Sequence, residues 1–228
     1  MSSTIPSRPQ SIALIGGHPA LDLVNTVSWR HDPDQWRENL AVPLDLLTWA
    51  HRAAVLHEPH PTAIRLAIAE DPIRAERVLR RVHELREQLY LHLADCIDHR
   101  GGEHQIKEGS PLHRAFADAV TASRLAGTPA RWTLEARVPL DLPRVLALHA
   151  LDLVQTMPLD RLRRCDDDGC GWLFLDTTRN HSRRWCSSSD CGNRDRARRH
   201  YARGRTTARR DASPSGGRKR ANDTTTPT

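Results

Sequence analysis

The sequence predicts a mainly α fold, with a helical N-terminal domain leading into a small C-terminal module made of a β-hairpin and a helix. Proline-opened apolar runs with three- and four-residue steps recur as far as residue 157. Four of the five cysteines then cluster between 165 and 191. The charge divides at the same place: residues 160–228 hold 17 Lys/Arg against 9 Asp/Glu, and residues 1–159 hold 17 against 19. The 228 residues suffice for one medium domain and a small module, and 38% apolar content is low enough that part of the chain is not expected to pack.

Residues 1–11 are expected to be disordered, and the helical domain is placed at 12–158. Ile12–Pro19 is a short apolar extension broken by Gly16-Gly17. Pro19 then opens a helix carrying Leu21, Val24 and Val27. Residues 30–42 are polar and loop-like around Trp36. Pro43 starts a second helix through Leu44, Leu47, Ala50 and Ala54, and a short one follows Pro61. Asp71-Pro72 supplies an N-cap and an N1 proline for the strongest signal in the chain: Val78, Val82, Leu85, Leu89, Leu93 and Cys96 on one face. Glu84, Glu87 and the arginines are assigned to the other face. A helix of about seven turns needs partners to cover such a stripe. Ser110-Pro111 repeats the cap signature ahead of Leu112, Ala115, Phe116, Ala119 and Val120, with Gly127 as the C-terminal stop. Trp132, Leu134, Ala136 and Val138 alternate with polar residues, as a strand or extended strap would. Asp141–Met157 is the last body helix.

The four clustered cysteines follow C-x4-C-x15-C-x4-C, as Cys165, Cys170, Cys186 and Cys191. The N-terminus lacks the apolar core of a secretory signal, and no apolar run approaches the roughly 20 residues of a membrane span. A cytoplasmic chain away from membranes is therefore expected, and thiols in a reducing compartment favour a metal over disulfides. Four thiolates suit one structural Zn2+, a tetrahedral ion whose closed ligand set leaves no position for catalysis. Iron also suits four thiolates, and the sequence does not separate the two. Gly171–Leu175 is expected to form one strand of the hairpin, Asp176–Asn180 its turn, and Arg183-Arg184-Trp185 the return. A helix starts near Cys191. The module, a zinc-bound β-hairpin and helix, treble-clef-like in plan, is placed at 161–205, with a disordered basic tail at 206–228. Cys186→Ser is expected to unfold the module and spare the helical body.

On the helix after Cys191, Arg196, Arg199 and Arg203 fall on one stripe, with Arg194 and Arg198 on a neighbouring face. Arg179, Arg183 and Arg184 add to a patch of nine arginines against two acids between 179 and 205. Such a surface neutralises several phosphates at once. Asn193 and Arg194 are of the types that read adenine and guanine edges. Asn193 is equally suited to capping the knuckle, and Asp176 to bracing the hairpin through Arg179 or Arg184. In the body, His18, Asp22, Asn25 and Trp29 follow helical spacing and form a candidate ligand pocket, or a network tying the first helix down. There is no phosphate-cradling glycine loop, no nucleophile with an identifiable base and no carboxylate pair, so no enzyme is expected.

The segment from Arg161 to about Arg205, with its two Cys pairs, G-W-L-F-L-D, T-R-N, R-R-W-C and Cys191-Gly192-Asn193-Arg194, resembles the CGNR zinc-finger family. Thr178 replaces a usual Ser and keeps the hydroxyl; Ser188 replaces a common Met. G-G-H-P-A-L-D-L-V-N-T-V at 16–27 is similar to the opening of the ABATE-type helical domain that precedes this finger. The resemblance implies a bacterial stress-induced transcriptional regulator whose helical domain senses a small-molecule effector; double-stranded DNA is the expected partner of the basic module, and a homodimer is one candidate assembly. Two alternatives stay open: an RNA- or ribosome-associated protein, and a zinc-stabilised protein-interaction module.

Overall fold

The computed structural model describes residues 12–56 and 60–211; residues 1–11 and the tail from 212 onward, both expected to be disordered, lie outside the described residues. The axis of the molecule is the 27-residue helix α4 (Pro72–Asp98). Asp71 accepts a hydrogen bond from the Arg74 N–H and Pro72 occupies the first turn, as the cap signature requires. Its stripe from Val78 to Cys96 is buried. Helices α1 (Pro19–Val24), α2 (Pro43–Arg52), α3 (His60–Glu70) and α5 (Pro111–Thr121), with α6 (Asp141–Thr156), all touch it. Leu21, Leu46, Trp49, Ile64, Leu142 and Leu146 fill the space between. Each such side chain contributes roughly 1.5–3 kcal/mol by leaving water.

Three local expectations change. The first helix stops at Val24, and Val27 lies in β1 (Val27–Ser28), antiparallel to β2 (Arg37–Glu38). Here Asn25 is the C-cap, and the Thr26 hydroxyl donates back to the Leu23 carbonyl. The supposed loop at 30–42 therefore contains a strand. The fifth helix ends at Thr121, not Gly127; Gly127 has φ +88° and turns the chain between β3 (Arg124–Ala126) and β4 (Arg131–Thr133). The strand expected at Trp132 is half of this hairpin. Arg86, assigned to the solvated face of α4, is buried instead. The β1–β2 loop covers that face, and Arg86 meets both Glu38 oxygens, Thr26 and Glu87. Burial pushes the Glu87 carboxyl up, but hydrogen bonds and charge from Arg30 and Arg86 outweigh that and leave it below its usual range.

The C-terminal module consists of β5 (Leu162–Arg164), β6 (Leu173–Leu175) and α7 (Cys191–Asp211). Its hairpin is a correction: β6 pairs antiparallel with β5, Arg163 opposite Phe174, and not with 183–185. The turn is thus the Cys165–Cys170 knuckle, not Asp176–Asn180. Helix α7 continues to Asp211, past the Arg205 boundary where the tail was expected to begin.

The module is not a separate bead. Leu162 and Leu173 belong to the body core. The Asn25 amide holds Leu173 from both sides, donating to its carbonyl at 2.8 Å and accepting from its N–H at 2.9 Å. Trp172 Nε1 donates to the Val27 carbonyl, and the Leu175 N–H to the Gly16 carbonyl. Arg30 and His31 N–H groups donate to the carbonyls of Cys170 and Gly169. Gly171 marks how close this seam is: it has φ +71°, and a Cβ there would sit 2.8 Å from the Arg30 Cβ.

Candidate metal centre and nucleic-acid interface

The β5–β6 knuckle, the segment before Cys186 and the first turn of α7 bring four buried thiols together. The Sγ atoms of Cys165, Cys170, Cys186 and Cys191 all lie within 4.8 Å of one another. Cys170 and Cys186 are 3.6 Å apart, and Cys186 and Cys191 3.4 Å. A disulfide needs about 2.05 Å, whereas ligands at a Zn–S distance of about 2.3 Å on a tetrahedron stand about 3.8 Å apart. The cluster therefore has the compact geometry of a single structural Zn2+ site, and no disulfide links these cysteines. The acid–base chemistry of the set agrees. A first thiolate, held by S–H donation from its neighbours, pushes up the ionisation of the thiols around it, as Cys165 does for Cys170 and Cys186. Packed this tightly, the sulfurs compete to ionise, and a dication removes the competition by accepting every thiolate.

Each residue of Cys191-Gly192-Asn193-Arg194 has a place in the knot. Cys191 is a candidate ligand on the first turn of α7. Gly192 lies buried against the Trp185 ring, and its N–H donates to the Ser187 carbonyl. The Asn193 amide donates to the Ser189 carbonyl and accepts from Arg196. Arg194 is the hub: it donates to Cys191 Sγ at 2.8 Å and to Asp167 Oδ2 at 3.0 Å, pairs with Asp190, and lies 4.4 Å above the Trp29 ring. Burial works against its charge, but the Cys191 thiolate with Asp167 and Asp190 more than offsets it. Four thiolates and one Zn2+ carry a net charge of −2, so a guanidinium in the coordination shell's immediate surroundings is the expected counter-ion.

The expected nucleic-acid residues divide into two groups. Arg183 lies over the Phe174 ring and donates to the carbonyls of Ile15, Trp185 and Cys186. Arg184 pairs with Asp166 and stacks on Trp185. Arg194 and Arg198 both converge on Asp167, which is 2% exposed. Asp176 is buried and accepts from Thr178 and from the Arg183 N–H, not from Arg179 or Arg184 side chains. Arg196, Arg199 and Arg203 are exposed along α7, as is Arg179 in the loop after β6. Among the described residues Arg196 touches only neutral oxygens, of Ser188 and Asn193. Arg199 has an i,i+4 pair with Asp195, a kind of surface contact worth about 0.3–0.5 kcal/mol.

Of the two readings of His18, Asp22, Asn25 and Trp29, the contacts of the first three are those of a network tying the first helix down, and Trp29 stands apart from it. His18 caps α1 by accepting from the Ala20 N–H, and Asp22 accepts from Gly16 N–H and is raised by its burial. Asn25 turns to the module. Trp29, at φ +57°, lies beyond the helix against Arg194 and Gly169. Sequence reasoning missed Asp167 as the buried acid that anchors two arginines. The acidic run Asp166–Asp168 inside a cysteine gap, beside an arginine-rich helix, was its available sign. It also passed over Tyr201, which is 73% exposed on α7 and in edge contact with His200.

A helical bundle whose core takes in Leu162 and Leu173 of a four-thiol module, with an arginine-bearing helix after it, has the architecture of a zinc-finger protein. Two known families account for nearly the whole described chain. Residues 161–204 match the CGNR zinc finger, and residues 17–158 match the ABATE family, described as "Putative stress-induced transcription regulator". The second match spans more than half of the chain, and the chain belongs to that family. No curated protein matches it. Neither matched family is described as catalytic. No described helix is long and apolar enough to cross a membrane.

Proposed function

We propose that this protein is a DNA-binding transcriptional regulator in which the zinc-held module contacts duplex DNA and the helical body responds to a small-molecule effector, with no catalytic step. The observation that carries the reading is the division among the arginines. Arg183, Arg194 and Arg198 are consumed in holding the knot and its buried acid. Arg179, Arg196, Arg199 and Arg203 face solvent. A structural role explains the first group; of the second, Arg196, Arg199 and Arg203 lie along α7, whose first turn carries Cys191, and Arg179 stands apart in the loop after β6. Phosphate contact at several points along α7 follows, with affinity that falls steeply with salt. Base reading is assigned away from Asn193, held at the surface by Ser189 and Arg196, and from Arg194, held by Cys191 and Asp167, so the exposed stripe first supplies sequence-independent grip.

Changing Arg196 and Arg199 to Ala tests this. Duplex binding weakens, and the slope of log affinity against log salt falls by about one for each phosphate that is no longer neutralised. An unchanged slope would remove these side chains from the interface. Tyr201 favours a second reading, because an exposed ring among cations stacks on an unpaired base. Competition separates the two: duplex binding that survives excess single-stranded RNA supports the regulator, and binding to RNA alone supports the second reading.

A further inference from the structure

A cleft lies between α6 and the β3–β4 hairpin. It encloses about 580 Å3 and is walled by apolar side chains including Leu134, Val145, Leu148 and Leu151, with the Trp132 ring on the hairpin side. Among its lining residues Asp152 accepts from Arg131 and lies 3.4 Å from His18 Nε2. His18 Nδ1 is already occupied by the Ala20 N–H, and burial lowers the pKa of the ring. The neutral tautomer therefore carries its proton on Nε2 and donates it to Asp152, which adds no positive charge.

The fixed groups of this cleft thus favour a cation. Asp152 stands on α6, with Gln155 and Thr156 beside it at the C-terminal turn, where the helix dipole is negative. Trp132 offers a π face, and its side is 41% exposed. The opposing permanent charge among the lining residues is Arg131, 58% exposed on a three-residue strand with no buried position; His149 also lines the cleft, its ring in edge contact with His18. An exposed ion pair such as Arg131 with Asp152 holds weakly, so its guanidinium is readily displaced. It occupies the place that a ligand cation would take.

We propose that this cleft binds an organic amine, a protonated nitrogen on an aromatic or branched apolar body, with Asp152 as the anionic anchor, Trp132 as the ring partner and Arg131 as a displaceable internal surrogate. The assignment rests on the reading of the body as an effector domain and gives that domain its site. The path to the module is short. Asp152 bears on His18 at the start of α1, and Asn25 at the end of α1 holds Leu173 beside the metal knot. An amine that takes Arg131's place alters the load on His18, and so the seating of the helix that braces the finger.

The test uses the full-length zinc-loaded protein and three probes of one size: 2-phenylethylamine, phenylacetate and 2-phenylethanol, each titrated by calorimetry near neutral pH. The amine should bind at least tenfold more tightly than the acid or the alcohol. Asp152→Asn should abolish that preference. Arg131→Ala should tighten amine binding severalfold, since a competitor is removed, whereas a site for acids would lose affinity. Gln155→Trp, at an exposed rim position, should block the cleft without touching the core. Preference for the acid, equal affinities, no binding of any probe, or an amine preference that survives Asp152→Asn each overturns the assignment. Duplex binding is measured separately on the same samples. Its absence with amine preference intact would sink the regulator reading alone, and the converse would sink the cleft alone.

Discussion

Arg194 and Arg196 stand two residues apart on one helix and have different physical lives. Arg194 meets a thiolate, a buried carboxylate and an indole face, and Arg196 meets two neutral oxygens at the surface. Their alanine variants should therefore fail differently. Arg194→Ala leaves Asp167 with one partner fewer inside the protein and should cost on the order of 2 kcal/mol, with faster zinc loss to a chelator. Arg196→Ala should leave the melting temperature and zinc retention unchanged and reduce duplex affinity alone. Thermal unfolding and a chelator challenge on both variants check the pair; equal loss of zinc from both would contradict it. The four cysteines were legible in sequence because spacing and composition suffice to mark a thiol set. The division of the arginines was not legible. An arginine's role depends on where Asp167 and Trp29 stand, and both reach Arg194 only through the fold.

At the scale of elements, proline and cap signals located the helices well because they act within one turn. Pro19, Pro43, Pro72 and Pro111 each stand in the first turn of a helix. Strand partners were not legible, since β pairing is decided by distant chain. β6 pairs with β5 because the Cys165–Cys170 knuckle reverses the chain, and β1 pairs with β2 because Asn25 ends α1 early. Asn25 is the test of this level. Asn25→Ala removes both partners of the buried Leu173 peptide groups and should cost about 3 kcal/mol, read by denaturant unfolding. A change under about 0.5 kcal/mol, the size of an ordinary surface substitution, would show that the seam does not depend on it. The Arg86–Glu87–Arg30 cluster gives a second test. The Glu87 carboxyl lies below its usual range when folded. Its contribution is therefore present above the unfolded value, about 4.3, and is lost as pH falls through the folded value. Glu87→Gln should be less stable than wild type at pH 7, and the gap should close as pH drops below about 4. A gap that stays constant from pH 7 to 3 would assign the effect to packing instead of charge.

The whole molecule departs most from what its sequence suggests in the coupling of its parts. Two family matches, two compositions and opposite net charges all argue for separate domains, and from them Cys186→Ser should spare the body. The fold argues otherwise. Leu162 and Leu173 of the module sit in the body core, and Gly16, Asn25, Val27, Arg30 and His31 all hold module backbone or side chains. Structural zinc supplies about 10 kcal/mol or more of folding free energy to modules of this size, so removing it withdraws the module's support from the body as well. The loss should be graded by distance. Helix α1 and strand β1, which face the seam, should lose hydrogen-exchange protection soon after chelation. Helices α5 and α6, packed on each other and on α4, should keep theirs. Zinc-loaded protein should unfold in one transition, and chelated protein in two, with α1 in the earlier. Exchange in α1 that is identical with and without zinc would restore the picture of independent domains, and with it the difficulty of explaining how an effector in the body could reach the finger. The seam bears on that difficulty physically: the hydrogen bonds through which the body should depend on zinc are the ones through which the finger should depend on α1.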